Sequence, residues 1–172
     1  MELVKFVPVL QPPDIASVSL LAHAVWTEYY SPFIEHSLIR YILGKYQSEK
    51  AIAEQITREN YLYYFVKDGR DVVLGYFALV PREAAGELFL SKFYIRAEER
   101  AKGYGRHVLD FAEKTARSWG LSRITLTVNK KNQGSIAAYE RMGFSRVDAV
   151  VTDIGEGFVM DDYVMQKELH SK

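Results

Sequence analysis

The residues Arg100-Ala101-Lys102-Gly103-Tyr104-Gly105-Arg106 set two glycines among three cations, between the strand-like run LFLSKFYIRAEE and the helix-like run HVLDFAEKTARSWG. A strand that feeds a helix through such a turn leaves backbone N–H groups without partners at the helix start. They point one way, and the helix dipole adds roughly half a positive charge there. That combination is an anion site, best suited to phosphates. Glycine at 103 and 105 permits close backbone approach and positive φ. Spacing alone leaves a second reading open, a tight strand-to-helix turn with a solvated basic face. Two nucleotide motifs are excluded. Gly103-x-Gly105-x-x-Val108 lacks the third glycine of the dinucleotide fingerprint and does not follow the first strand. GYGRHV lacks the Gly-Lys-Ser/Thr of a phosphate-binding Walker loop.

A second constellation is VWTEYYSPF, in which Trp26, Tyr29, Tyr30 and Phe33 surround Glu28. Trp26 and Tyr29 fit an apolar helix stripe. Tyr30 and Phe33, at the helix break, can line a pocket where aromatic faces and an acid receive a cationic amine. Asp161 and Asp162 extend that idea, although adjacent strand residues face opposite ways, so at most one points into a pocket. A solvated acidic pair is the plainer reading. His23, His36, His107 and His170 show no metal-ligand spacing, and there is no cysteine. No metal site is expected, and disulfides and thiolate nucleophiles are excluded.

These residues need a framework, and the chain supplies one in a single piece. At 172 residues, 48% hydrophobic and 26% charged, it can bury a sizeable core as one domain spanning 1–172. Net charge zero gives no global attraction to nucleic acid or an anionic membrane. MELVKFVPVLQPPD is broken by prolines and an acid, which is unlike a signal peptide, and no run reaches membrane-spanning length. A cytoplasmic protein is the default expectation. Asp14 is a candidate N-cap for a helix through Tyr30, with Ile15, Val18, Ala22, Val25, Trp26 and Tyr29 at helical spacing. A second helix is expected from about Phe33 to Gly44, and a third capped by Ser48. YLYYFVK and DVVLGYFALV read as a hairpin turning at Asp68-Gly69, and ELFLSKFYI as a further strand. A helix over Gly105–Trp119, the strand RITLTV, the helix NQGSIAAYERM and two closing strands, 145–152 and 158–167, complete a mixed α/β sheet domain.

FYIRAEERAKGYGRHVLDFAEKTARSWG resembles the acyl-coenzyme A signature of the GNAT superfamily of N-acetyltransferases, with Arg-x-x-Gly-x-Gly as Arg100 to Gly105. LTVNKKNQGSIAAYERMGF is similar to that superfamily's second signature, with Asn132, Tyr139 and the closing Met142-Gly143-Phe144. The resemblance covers about Tyr61 to Leu169. Length, VWTEYYSPFI and FVMDDYVMQKEL also resemble the bacterial spermidine/spermine N-acetyltransferase branch. The resemblance implies a mixed, mostly antiparallel central sheet, splayed at the acyl-CoA site and flanked by helices. It implies acetyl-CoA as cosubstrate, its diphosphate held by backbone amides of Arg100, Ala101, Lys102, Gly103, Tyr104 and Gly105 with Arg106 nearby. Its pantetheine arm is expected on the strand edge at Phe93, Tyr94 and Ile95, and Asn132 and Tyr139 are expected to touch the coenzyme. The implied reaction is transfer of acetyl to a primary amine of a small molecule, a polyamine among the candidates, by direct attack. The rivals are a peptide, protein or antibiotic amine as acceptor, or a CoA-binding regulatory domain with little turnover. Homodimers are common among relatives, so a homodimer is expected.

A lysine-like amine has a pKa near 10.4, so about one molecule in a few thousand is neutral at pH 7. A base must take the proton, directly or through water. Relatives often carry Glu on the strand before the loop, where this chain has Ser91. Glu28, Glu87, or a water held by Ser91 and a distant carboxylate are the candidates. The tyrosine matching Tyr139 in relatives protonates the leaving thiolate; packing beneath the loop is its alternative. Asn132 also fits the N-cap of the short helix.

Overall fold

The computed structural model describes residues 3–32 and 34–170. Seven strands form one sheet in the order β1-β2-β3-β4-β5-β7-β6. The chain clusters into two compact units, Met1–Val80 with Lys92–His107, and Pro81–Ser91 with Val108–Lys172.

In the first unit, β1 (Lys5–Pro8) pairs antiparallel with β2 (Leu62–Lys67), which pairs antiparallel with β3 (Val73–Arg82). Three helices belong to it: α1 (Pro12–Tyr30), α2 (His36–Tyr46) and α3 (Glu49–Arg58). The α1 stripe holds at Val18, Ala22, Val25 and Trp26, joined by Leu21, which are all buried, whereas Ile15 and Tyr29 at its ends are only half-buried. Its start is a correction. Gln11 is the N-cap and Asp14 is the third helical residue, accepting from the Gln11 N–H at 3.4 Å. Pro12 and Pro13 lack N–H groups and have φ preset for a first turn, so the helix begins on them. Ser48 caps α3 as expected, accepting from Ala51 N–H at 3.2 Å. α2 begins at His36 rather than near Phe33, because Glu35 is extended; Phe33 lies outside the described residues. Strand β1 went unanticipated: four residues ending at a proline carry too little periodicity to read.

Gly75 of β3 sets how closely the last part of β4 (Glu87–Ile95) can come. A Cβ there would overlap the Tyr94 carbonyl oxygen and stand 2.9 Å from Ile95 Cδ1. Only glycine allows that approach.

In the second unit, β4 pairs parallel with β5 (Arg123–Asn129) from Glu87–Arg123 to Phe89–Thr125. Beyond that pair β5 continues its antiparallel ladder with β7 (Phe158–Glu168) to Asn129–Asp162. β7 pairs in turn with β6 (Ser145–Gly155). Side chains of paired residues share a face. One face carries Ile124, Leu126, Val128 and Met165, all buried. The helices α4 (Tyr104–Ser118) and α5 (Gln133–Arg141) lie on that face: Lys167 pairs with Glu113 of α4, and Gly143 just past α5 sits against the Lys167 side chain. Val108, Ala112 and Ala116 are the α4 stripe, fully buried. The opposite face carries Thr125, Thr127, Asn129, Asp162, Val164 and Gln166.

Candidate functional site

The loop that raised the first question joins a 3-10 turn, Ala97–Glu99, to the start of α4. Gly103 has φ +88°, and a Cβ there would meet nothing within 4 Å. Residues 101–103 are exposed, so the turn presents its backbone to solvent. Two details differ from the sequence reading. Ala101, not Gly105, is the second left-handed residue, with φ +63°. Gly105 lies inside the first turn of α4, where a Cβ would stand 3.6 Å from the Phe93 ring. Its small size brings helix start and strand together; its conformational freedom is unused.

The cations around the loop are largely engaged. The Arg100 Nε–H donates to the Ile95 carbonyl at 3.0 Å, and its two amino groups donate to both Glu28 oxygens at 3.2 and 2.9 Å. Its guanidinium also lies 4.5 Å from the Tyr29 ring centre. Lys102 pairs with Glu99 at 3.1 Å. Arg106 is exposed. Glu28 is therefore a tether between α1 and the loop, with both oxygens occupied. Above β4, Trp26, Tyr30, Tyr94 and Tyr76 form an aromatic cluster: Trp26–Tyr30 centroids are 4.3 Å apart, and Trp26–Tyr94 and Tyr76–Tyr94 are each 5.5 Å apart. Tyr94 and Phe93 are half-buried and Ile95 is buried.

A third group in this unit escaped the sequence reading. Lys92 of β4 is buried, and its ammonium donates to the Tyr46 carbonyl at 2.7 Å, to Gln55 Oε1 at 2.9 Å and to Tyr63 OH at 2.5 Å. Gln55 Nε2 donates to the same Tyr46 carbonyl at 3.0 Å, and Tyr63 OH donates to Gln55 Oε1 at 2.5 Å. Burial lowers the Lys92 pKa to about 7, with Glu59 opposing. Burial likewise holds the Tyr63 phenol in its neutral form, far above its usual range.

In the second unit, Asn132 is buried and caps α5, its Oδ1 accepting from Ser135 N–H at 3.2 Å. Tyr139, two turns on, is half-buried, its ring 5.6 Å from Phe144. Ser91 is half-buried. Glu87 is fully engaged, accepting from Thr125 Oγ1 at 2.6 Å and flanked by Arg82 at 3.5 Å and Arg123 at 4.0 Å. Asp161 and Asp162 diverge as strand alternation requires. Asp161 is exposed and pairs with Lys130 at 2.8 Å. Asp162 is only 8% exposed, and burial, with Asp161 adding and Lys130 opposing, raises its carboxyl to about 6. Among the described residues no three His, Cys, Asp or Glu side chains are grouped to hold a metal. No described helix is long and apolar enough to cross a membrane.

The loop has exposed backbone, left-handed residues at 101 and 103 and open space where a side chain at 103 would intrude, a geometry that could receive an anion. Comparison with known proteins gives the family and the fold. An uncharacterised N-acetyltransferase of Lactobacillus delbrueckii subsp. lactis is 28% identical over 134 residues, covering 74% of this chain and 76% of the relative. The crystal structure of PaiA N-acetyltransferase from Thermoplasma acidophilum in complex with coenzyme A superposes with TM-score 0.77 at 19% identity, covering 97% of this chain and 99% of the other. Spermidine N-acetyltransferase from Vibrio cholerae in complex with CoA and spermine gives TM-score 0.70 at 19% identity, covering 96% and 95%. At such identities the solved structures speak for the fold, the mixed and mostly antiparallel open sheet flanked by helices. The sequence matches the Acetyltransferase (GNAT) family over residues 21–144, and the chain belongs to that family as an acetyl-CoA-dependent N-acetyltransferase.

Proposed function

We propose that this protein acts as one domain that acetylates a primary amine of a small molecule, with polyamines the favoured class. The observation that carries the reading is the left-handed pair Ala101 and Gly103 at the N-terminus of α4, which turns exposed backbone toward an anion. Acetyl-CoA, when bound, supplies an acyl thioester. In this proposal the backbone of Arg100, Ala101, Lys102, Gly103, Tyr104 and Gly105 holds the diphosphate, with Arg106 contributing charge. The Phe93, Tyr94 and Ile95 edge aligns the pantetheine arm, and its N–H groups stabilise developing negative charge on oxygen. Asn132 helps to seat the coenzyme, and Tyr139 gives its phenolic proton to the departing sulfur. Glu28 keeps Arg100 and the loop in place, because both its oxygens are already taken. Direct attack needs no nucleophilic side chain, since holding the reactants together supplies much of the acceleration. The aromatic cluster of Trp26, Tyr30 and Tyr94 supports a cationic acceptor.

A homodimer and a cytoplasmic place of action belong to the same proposal. Supporting the dimer, the edge strand β6 and its neighbour expose Val147, Val151 and Val159, each at least half accessible.

The test is coenzyme A release measured with a panel of polyamines, amino acids, peptides and aminoglycosides. Turnover concentrated in the polyamines supports the reading. Preference for peptides or aminoglycosides moves the acceptor class, and tight coenzyme binding with no turnover leaves a binding module. Tyr139→Phe should lower kcat by about 10- to 100-fold; a loss within threefold removes its role as proton donor.

A further inference from the structure

In the proposed binding mode the acyl arm of the coenzyme follows the main chain of Phe93 to Ile95, and Lys92 stands immediately before that edge on the same strand. We propose that Lys92 is a positioning residue for the transfer: gripped by α2, α3 and β2, it fixes where β4 presents Phe93 and Ile95 to the coenzyme arm. The inference rests on that coenzyme-edge reading and concerns residues of the first unit alone.

Three observations carry it. First, the protons of the Lys92 ammonium go to three different elements. The Tyr46 carbonyl of α2 takes one at 2.7 Å, Gln55 Oε1 of α3 another at 2.9 Å, and Tyr63 OH of β2 the third at 2.5 Å. Tyr46 is the last residue of α2, so the cation also meets the negative end of that helix. Apolar packing is non-directional and lets a strand slide by a fraction of an ångström. Three hydrogen bonds of set length and angle do not.

Second, the anchor is itself held. Gln47, beside Tyr46 at the corner between α2 and α3, is buried. Its carbonyl accepts from Ser19 Oγ of α1 at 2.8 Å, and its Oε1 accepts from Tyr76 OH of β3 at 3.0 Å. Gln55 Nε2 donates to the same Tyr46 carbonyl at 3.0 Å. Lys92 thus ties β4 to a corner that α1, α3 and β3 already fix.

Third, the strand beyond Lys92 turns alternate groups outward. The Tyr94 carbonyl passes close to Gly75, and Arg96 N–H donates to the Leu74 carbonyl at 2.8 Å. Residues 94 and 96 therefore face β3, and by alternation Phe93 and Ile95 turn their main-chain groups to the opposite edge. There the Ile95 carbonyl accepts from Arg100 Nε–H at 3.0 Å. The ladder of β4 with β5 has ended at Phe89. A displacement of residue 92 passes directly to residues one and three places on. The anion loop has its own tether to α1, through Arg100 and Glu28.

The experiment is calorimetry on the full chain and on Lys92→Met, which keeps an apolar stem and removes three donors. Two ligands are compared: coenzyme A, and a phospho-ADP that is the same coenzyme without its pantetheine arm. We expect the coenzyme A Kd to rise by about tenfold, because the edge is no longer preorganised. The phospho-ADP Kd should stay within about twofold, and kcat/KM for acetyl-CoA should fall by about 10- to 100-fold. Coenzyme A binding within twofold of wild type overturns the proposal. Equal weakening of both ligands overturns it too, since that marks a general loosening. Ile52→Ala, a buried change on α3 outside the network, should lower the melting temperature and leave both Kd values within twofold; the same selective loss in that variant overturns the special role of Lys92. Should Lys92→Met fail to fold, Tyr63→Phe decides: it removes one acceptor, and only coenzyme A should weaken, by about threefold. An unchanged or equal response of the two ligands again overturns the proposal. Amide signals of Phe93 and Ile95 in the wild type should shift when coenzyme A is added. If they do not, the coenzyme-edge reading fails and takes this inference with it; if they shift alike in wild type and Lys92→Met, the inference alone fails.

Discussion

Lys92 and Asp162 are buried ionisable groups of opposite sign, one in each unit, and they are treated in opposite ways. Lys92 is surrounded by oxygen: a carbonyl, an amide and a phenol receive its three protons. Those contacts join α2 and α3 to β2 and β4, so the lysine is a structural hub. Asp162 is comparably buried as a residue, but its carboxylate oxygens are not sealed away unpartnered, and it feels Asp161 and, opposing it, Lys130 rather than a cage of protein partners. Burial alone therefore does not mark a functional group, since both residues show it. The difference lies in whether the fold answers the group's hydrogen-bonding capacity.

The comparison can be broken or sharpened by experiment. The severest change is Gly75→Ala, which forces β3 away from the Tyr94 carbonyl and dismantles the strand that holds Lys92. We expect a loss of about 3 kcal/mol or more in urea unfolding; wild-type stability would refute the close approach. Lys92→Ala comes next. It opens a cavity and strands the oxygens of Tyr46 and Gln55, for an expected cost of about 2–4 kcal/mol. Asp162→Asn should move stability the other way, by about 1–2 kcal/mol at pH 7.5. Two changes of the same sign would abolish the contrast.

Stability against pH should separate the two groups further. Folded Lys92 loses its proton near 7 against 10.5 when unfolded. The unfolded chain then holds more protons between those values, and the Lys92 contribution to stability climbs from pH 7 toward 10. Folded Asp162 titrates near 6 against 3.8, so its contribution is complete below pH 4 and is lost as pH rises through 6. Urea midpoints of wild type, Lys92→Met and Asp162→Asn, taken from pH 4 to 10, should lose one limb in each variant. The smallest effect is Gly103→Ala, about 1 kcal/mol from positive φ with open space around the new methyl. It should raise the acetyl-CoA KM more than it disturbs folding; an unchanged KM would remove the loop from the site.

Much of this architecture was legible beforehand. Aromatic and β-branched runs located β2 to β5, and Gly120 and Gly143, with φ of +73° and +99°, ended helices where the sequence placed stops. The glycine signature and Asn132 were readable because their roles depend on neighbours within three residues. What stayed hidden was tertiary. Glu28 meets Arg100 across 72 positions, and Lys92 meets Tyr46 across 46, distances at which no local pattern operates. Adjacent Asp161 and Asp162 could be assigned to opposite faces, but which one is covered depends on packing that the sequence does not spell out.

The saturated guanidinium of Arg100 carries one more consequence. Glu28 neutralises it and Glu99 neutralises Lys102, so two of the loop's three cations are already paired with acids and Arg106 is its third, exposed cation. In the proposed binding mode, a diphosphate arriving there is met by oriented peptide dipoles more than by a positive field, and dipoles act over a few ångströms, well inside the screening length of physiological salt. Coenzyme capture should then be governed by shape and proximity, with added salt having little leverage over how tightly the carrier is held.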